Sequence, residues 1–361
     1  MSDGLDPVRL GVVGLGFMGQ THATNAVDLG HEVVAGTDVV ADSRDEFARS
    51  YDATTYADAA EMYDSESLDA VVVSTPNAFH EEAVVGALER GYDVLCEKPL
   101  ADDLAAAERI AAAARESDGF CAVNFHNRIA TAAEVFRGYR EEGRFGDITH
   151  VQANYVRSRG IPGVGSWFTN EELSGGGAVV DIGVHAIDFA LYLMDFPPVE
   201  EVFAVTRTEF GERDDYADPG DWYDATEEAV FDVEDSATAM IRCAGDRTIS
   251  LEVAWAANQT ETQEFVVRGT DAGARLDLGG EELSLIEAGR QGTDHVVESE
   301  LTHGSLDNTG WKGSDERFFD AVASGEPPEG NTVERALTVQ RVMDGIYRSA
   351  EAGTCVSVDD E

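Results

Sequence analysis

Three short stretches of this chain carry residue types at spacings that suit chemistry. GLGFMG runs from Gly14 to Gly19, between the apolar run VRLGVV and a segment with helical spacing. An acidic residue, Asp38, follows about 20 positions later and completes the fingerprint of a dinucleotide-binding turn. Gly14 permits the tight turn. Gly16 lets backbone approach a pyrophosphate at the positive end of the helix, and Gly19 lets helix and sheet pack closely. Phe17 and Met18 belong to the same turn. A glycine-rich turn that binds nothing is the competing reading, and the strand-turn-helix context weighs against it. A carboxylate at the end of the second strand accepts hydrogen bonds from ribose hydroxyls and repels a 2′-phosphate, so Asp38 favours NAD over NADP. Val39 and Val40 offer no cation, and Arg44 is the nearest one. Screening by salt would soften the repulsion, which keeps NADP possible.

The second stretch, CEKPLA (96–101), contains Lys98, one of two lysines in the chain; the other is Lys312. A single lysine is usually a solvated surface charge. That reading loses force where surface lysines have nearly all been replaced. A compact ammonium whose pKa responds to its surroundings has no equivalent in the planar fork of arginine. Lys98 also follows a strand-like run, at the carboxyl edge where parallel sheets bind their ligands.

The third stretch, DIGVHAID, places Asp181, His185 and Asp188 at i, i+4 and i+7, along one face if the segment is helical. Three readings compete. One is a capped helix with a satisfied core histidine. Another is a metal site, for which no third or fourth ligand stands at a recognisable spacing. The last is an acid–base pair beside a nicotinamide, work for which histidine is suited. A dehydrogenase must remove a hydroxyl proton as hydride leaves the same carbon. It needs a base, and a positive donor where charge develops on oxygen. His185 can supply the first and Lys98 the second. No metal is expected.

The elements that must position these residues change character along the chain. Strand-like runs at 8–13, 32–38, 69–74, 92–96 and 120–125 alternate with helical patterns near 18–30, 41–50, 79–90 and 102–116. Such alternation predicts βαβ units and a doubly wound parallel sheet in an α/β Rossmann domain, residues 1–126. From 147 the chain turns to repeated strand-like stretches, such as SATAMIRC, RTISLEVAWA and TQEFVVRGT, and also EEAVFDV (227–233). These predict an α+β domain over 127–361 with a large, mainly antiparallel open sheet and a C-terminal helix at 332–350. The acidic segment GERDDYADPGDWYD (211–224) is expected to be an exposed excursion. Covering the outer face of the sheet by another subunit predicts a homodimer or homotetramer.

Composition narrows the class. The 361 residues include 25 Lys+Arg against 71 Asp+Glu, a formal net charge of −46. Hydrophobic residues make up 43%, enough for a core, so the acid belongs on a solvated surface rather than in a disordered chain. A surface this negative excludes nucleic acid and anionic membranes as partners. With so little lysine it suggests a halophile, whose salt screens the self-repulsion. No apolar run is read as a transmembrane segment, and the acidic N-terminus does not resemble a signal peptide. Cys96, Cys121, Cys243 and Cys355 show no metal or disulfide spacing, which fits reduced thiols in a cytoplasmic protein.

These stretches together resemble the Gfo/Idh/MocA family of nicotinamide-dependent oxidoreductases. The matches are GLGFMG (14–19), STPNAFH (74–80), CEKPLA (96–101), NR (127–128), GGGAVVDIGVHAID (175–188) and VMDGIYRSAEAG (342–353), in the family's order. The NR is not followed by the aromatic and proline common in the family. The resemblance implies that Ser74, Thr75, Pro76, Asn77 and His80 pass the cofactor and that Glu97 reaches the nicotinamide side. It makes Lys98, Asp181 and His185 the catalytic set and points to a sugar, cyclitol or sugar derivative as substrate. Tyr155, Arg157 and Trp167 are further pocket candidates. Arg157 and Arg159 stand at strand spacing, where a pair on one face could bind an anionic substrate. Two alternatives remain open: a redox-neutral glycosidase that uses bound NAD transiently, and a non-catalytic nucleotide-binding regulator.

Overall fold

The computed structural model describes residues 7–213, 216, 230–289, 293, 295–304 and 308–358. The chain forms two compact units, residues 1–126 with 308–337, and residues 127–307 with 338–361.

The first unit begins β1 (Arg9–Val13), α1 (Phe17–Leu29), β2 (Glu32–Thr37), α2 (Ala41–Tyr51), β3 (Thr54–Tyr56) and α3 (Ala59–Ser65). It continues β4 (Ala70–Val73), α4 (His80–Leu88), β5 (Asp93–Cys96), α5 (Leu104–Glu116) and β6 (Cys121–Val123). The six strands form one parallel sheet in the order β3-β2-β1-β4-β5-β6. Strands covered on both faces must be apolar throughout, and the Ala70–Val73 run is buried at every position. Helix entry is set locally: Asp58 and Asp103 cap α3 and α5 by accepting the backbone N–H groups of Glu61 and Ala106.

The second unit holds α6 (Thr131–Glu141), β7 (Ile148–Val156), α7 (Glu171–Ser174), α8 (Val184–Leu193), β8 (Val199–Arg207), β9 (Ser236–Cys243) and β10 (Arg247–Ala254). Then come β11 (Thr262–Gly269), β12 (Gly273–Asp277), β13 (Glu282–Gly289) and β14 (His295–Glu300). The chain ends with α9 (Gly310–Ser324), α10 (Val333–Ala352) and β15 (Val356–Ser357). The nine-stranded sheet runs β14-β13-β12-β11-β7-β10-β9-β8-β15, with β7 and β10 the one parallel pair and antiparallel neighbours elsewhere. Alternation along β9 buries Ala237, Ala239, Ile241 and Cys243 while Thr238, Met240 and Arg242 face outward.

Several elements differ from their sequence-based expectation. Residues 308–337, which a boundary at 126 assigns to the second unit, lie with the first. The cause is apolar: Phe318 and Phe319 of α9 join the cluster of Leu10, Val12, Phe47 and Leu95. Of EEAVFDV, residues 227–229 lie outside the described residues and 230–233 are not strand. The excursion at 211–224 lies mostly outside them too. One apolar stretch, Glu171–Leu193, does have the length and composition of a membrane span, but 94% of its apolar window is buried inside the protein, as befits a core helix.

Candidate active site

The glycine turn is built by close approaches. Gly14 takes a φ of +87°, and a Cβ there would lie 2.8 Å from the Ser74 backbone. A Cβ on Gly19 would run into the Gly14 carbonyl oxygen, whereas one on Gly16 would meet nothing within 4 Å. So the backbone is tight on the sheet side and open at Gly16, where α1 begins. Ser74 Oγ donates to the Gly14 carbonyl at 2.9 Å, tying the end of β4 to the turn. Asp38 fixes the other side: Oδ2 accepts from Leu15 N–H and Oδ1 from Val40 N–H, each at 2.8 Å. Arg44 Nη1 donates to the Asp38 carbonyl at 2.6 Å, which brings a guanidinium to the same strand end. Met18 lies in the first turn of α1. Thr75 Oγ1, just past β4, is buried with no hydrogen-bond partner among the described residues. A cradle open at Gly16, an acid at the end of β2 and an unsatisfied hydroxyl at the carboxyl edge fit a dinucleotide.

Pro76 precedes the short 3₁₀ turn Asn77–Phe79, in which Asn77 is buried. His80 is wholly buried, with Nε2 2.9 Å from the Thr75 carbonyl and Nδ1 3.0 Å from the Pro99 carbonyl. It therefore braces the turn after β4 against the turn after β5. Burial pushes its pKa down. Glu97 and Lys98 follow β5 directly, and the Lys98–Pro99 peptide is cis. Glu97 Oε1 accepts from Asn124 Nδ2 at 2.7 Å and lies 3.0 Å from Nε2 of His22. His22 Nδ1 in turn lies 2.6 Å from Asp315 Oδ1 on α9. Asn25 donates to the second Asp315 oxygen at 2.7 Å.

Beside this network the first unit opens a cleft of about 450 Å³ lined by Thr21, Asn25, His126, Trp311 and Lys312 among others. Trp311 meets Phe17 of the glycine turn edge-on, ring centroids 6.0 Å apart, and Phe17 is 63% exposed. The second of the two lysines lines this cleft, with its ammonium on Asp28 Oδ2 at 3.1 Å.

In the second unit Asp181 lies in a π-helical turn, Val179–Gly183, that leads into α8, where His185 follows almost buried. Such a wide turn is a frequent device at functional sites. It breaks the regular 3.6-residue spacing assumed for Asp181, His185 and Asp188. Asp181 Oδ2 accepts the Trp255 indole N–H at 2.9 Å and lies 3.6 Å from Arg157. Asp188 goes elsewhere, into a buried two-point ion pair with Arg128. The Asn127–Arg128 dipeptide is therefore an anchor for α8. Behind the turn, Glu234 accepts N–H bonds from Gly177 at 3.0 Å and Val179 at 2.8 Å.

Tyr155 lies on β7 with the Arg157 guanidinium 5.6 Å from its ring centre. β7 ends at Val156, so the strand spacing assumed for Arg157 and Arg159 does not hold. Arg159 turns to the carbonyls of Ser158 and Ala257 and to Asn258, while Arg157 keeps Asp181. Trp167 sits in a 3₁₀ turn, stacked on Phe168 at 3.9 Å.

Residues 8–125 match the oxidoreductase family with an NAD-binding Rossmann fold, and residues 136–275 match the GFO/IDH/MocA C-terminal domain. A D-glucoside 3-dehydrogenase of Escherichia coli (strain K12) is 32% identical over 98% of both chains. The chain belongs to the Gfo/Idh/MocA family. A D-xylose 1-dehydrogenase [NADP(+)] of Haloarcula marismortui is 30% identical over 61% of this chain and 62% of its own. The solved structure of a levoglucosan dehydrogenase in complex with NADH shares the fold, with a TM-score of 0.85, 23% identity and coverage of 99% of this chain and 100% of that one. The matched residues 8–125 make the first unit an NAD-binding Rossmann domain of the oxidoreductase family.

Sequence reasoning missed His22, Asn124, Trp255, Glu234, Trp311, Lys312 and Asp315 in this Gfo/Idh/MocA chain. Lys312 carried a signal, its rarity. Trp255, one of four tryptophans, stands in no motif that would mark it. Asp315, among 71 acidic residues, had nothing to mark it.

Proposed function

We propose that this Gfo/Idh/MocA protein is an NAD(P)-dependent dehydrogenase acting on the CH–OH group of a sugar, cyclitol or sugar derivative, with Lys98, Asp181 and His185 as its catalytic set. The observation that carries the reading is Lys98 itself. A chain with two lysines keeps one in the turn directly after β5, at the carboxyl edge of a sheet whose glycine cradle suits a dinucleotide. The first unit is then the nucleotide-binding domain and the second the substrate-binding domain. The nicotinamide, when bound, supplies the hydride acceptor. Lys98 donates to the reacting oxygen and stabilises the charge that develops there. His185 takes the hydroxyl proton. Asp181, held by Trp255 and Arg157, orients the substrate or His185. Lys312 Nζ is paired with Asp28 Oδ2 at 3.1 Å, so it serves as a tie between α9 and α1. His80 acts as a brace rather than a contact.

Two relatives named for D-glucoside and D-xylose oxidation support a sugar substrate. Asp38 favours NAD, while Arg44 at the same strand end and the NADP(+)-named relative support use of NADP as well. The charge of −46 and that relative's source support a salt-rich cytoplasm, and three of the four cysteines are buried free thiols. On the outer sheet face Phe203 and Met240 stand opposite each other in register, each 47% exposed, which supports a homodimer or homotetramer through that face. Aldoses, methyl glucosides, levoglucosan and inositols, assayed with both cofactors in molar salt, test the reading. Lys98→Ala and Lys98→Arg should each lower kcat by about a hundredfold while cofactor binding persists. Near-normal turnover in either variant removes Lys98 from the mechanism.

A further inference from the structure

One residue takes three successive amides at the start of the turn that carries Asp181. Glu234, buried just before β9, accepts the Gly177 N–H on Oε2 at 3.0 Å and the Val179 N–H on Oε1 at 2.8 Å, and its own carbonyl accepts the Ala178 N–H at 3.0 Å. These are donors that the first turn of a helix leaves without partners, and Ala178, which opens the turn, makes no side-chain cap. The close approach requires the glycines. A Cβ on Gly177 would lie 1.9 Å from the Glu234 carbonyl oxygen, and one on Gly176, at φ +152°, would lie 2.0 Å from the Tyr347 hydroxyl. Gly177 passes the constraint on, because its carbonyl accepts the Asp181 N–H at 3.0 Å. The path then returns to its origin. Trp255, whose indole holds Asp181, donates its backbone N–H to the Asp235 carbonyl at 2.9 Å. Neighbouring strands bring this about, since Ser236, which opens β9, is paired with Ala254 at the end of β10. Glu234, Gly177, Asp181, Trp255 and Asp235 therefore close a ring of hydrogen bonds.

We propose that Glu234 is a positioning residue of the reaction, which fixes the start of the π-helical turn and thereby the place where the Asp181 carboxylate meets Trp255. The inference rests on the proposed role of Asp181. An ionised acceptor binds amides about twice as strongly as a neutral one, so the grip depends on the Glu234 proton. Tyr347 of α10 donates to Glu234 Oε1 at 3.1 Å and favours the ionised form against the cost of burial. The other titratable groups about Glu234 are Asp235 beside it, Asp181 and His185 on the segment it holds, and Glu171 of α7, whose charge reaches Tyr347. The Arg157 guanidinium stands with Asp181, at 3.6 Å.

The scarcity of tryptophan provides the experiment. With ¹⁵N-labelled indoles each of the four tryptophans gives one N–H signal, and Trp255→Phe assigns the one that reports on Asp181. A hydrogen-bonded indole proton lies downfield, and Asp181→Ala shows where it lies without the bond. In Glu234→Gln the Trp255 signal should move toward that position, because the side-chain amide has one acceptor oxygen for two N–H groups. In the wild type it should move downfield in one step as pH rises through about 7, as Glu234 loses its proton and tightens on the turn. Tyr347→Phe, which removes a donor to that carboxylate, should raise the midpoint of the step by about half a pH unit to one unit. In parallel, Glu234→Gln should lower kcat about tenfold with the cofactor KM little changed. Adding Trp255→Phe should cost little more than the worse single change, since both act through Asp181. Losses that multiply would place Glu234 outside that path and overturn the inference. A Trp255 signal unmoved in Glu234→Gln overturns it too, and so does the lack of a step that Tyr347→Phe raises, which needs no folded Glu234 variant. The spectra require no turnover. If they behave as expected while the wild type oxidises no sugar, the ring of hydrogen bonds stands and the proposed dehydrogenase reading fails.

Discussion

The indole N–H of Trp255 donates to Oδ2 of Asp181 over 2.9 Å, and Arg157 approaches the same oxygen at 3.6 Å. Trp255 is wholly buried, so the donor is rigid. Trp255→Phe keeps an aromatic ring in the core but takes the N–H away, at a typical cost of 1–3 kcal/mol for a deprived buried acceptor, on the order of tenfold or more. We expect kcat to fall about tenfold while the protein still unfolds in a single cooperative transition. Steady-state kinetics beside a melting curve check this. An unaltered kcat would show that the orientation of Asp181 is immaterial.

Asp38 has two duties, because its oxygens already accept the Leu15 and Val40 amides. Asp38→Ala should weaken NADH binding and narrow the preference over NADPH. Asp38→Asn, which keeps an acceptor for one amide, should retain more of the binding than Asp38→Ala. Fluorescence titration with both reduced cofactors at one salt concentration decides it. A wild type that already prefers NADPH would show that Arg44, not Asp38, governs selection.

Burial raises the Glu234 pKa from 4.5 to about 7, although the Gly177 and Val179 amides and the Tyr347 hydroxyl pull it down. The folded protein therefore holds a proton that the unfolded chain gives up. Stability from this group is fully present below about 4.5 and is lost as pH rises through about 7. Glu234→Gln stays neutral, so its denaturant midpoint should fall less steeply across that window than the wild type's. Parallel slopes would show that the carboxyl titrates normally.

With a charge of −46, the folded state repels itself when unscreened. Melting temperature should climb as KCl goes from dilute to molar. A melting temperature indifferent to salt would count against a saline habitat.

The parallel half was legible because its signals are local. A strand covered on both faces is a continuous apolar run, as Ala70–Val73 is, and the glycine fingerprint spans six residues. What escaped was long-range or irregular. Strand β14 is exposed at every position and shows no alternation to read. The π-helical turn around Asp181 changes the helical spacing without a sequence mark. The partner of His22 lies 293 positions away, and only the folded chain brings it there. The motif spacing sets Asp188 on the same face as Asp181, yet Arg128 takes Asp188 and Trp255 takes Asp181.

Because α9 belongs to the first unit, the order of synthesis and the order of completion differ. A ribosome emits β1 to β6 early, but Phe318, Phe319 and Asp315 leave the tunnel only after residues 127–307 have been made. Until then the nascent Rossmann sheet exposes the apolar ground that those phenylalanines will cover, and His22 and Glu97 face each other with Asp315 still to come. The nucleotide-binding unit is the first begun and among the last finished. A release of the chain after residue 126 would yield an unclosed core rather than a small working domain.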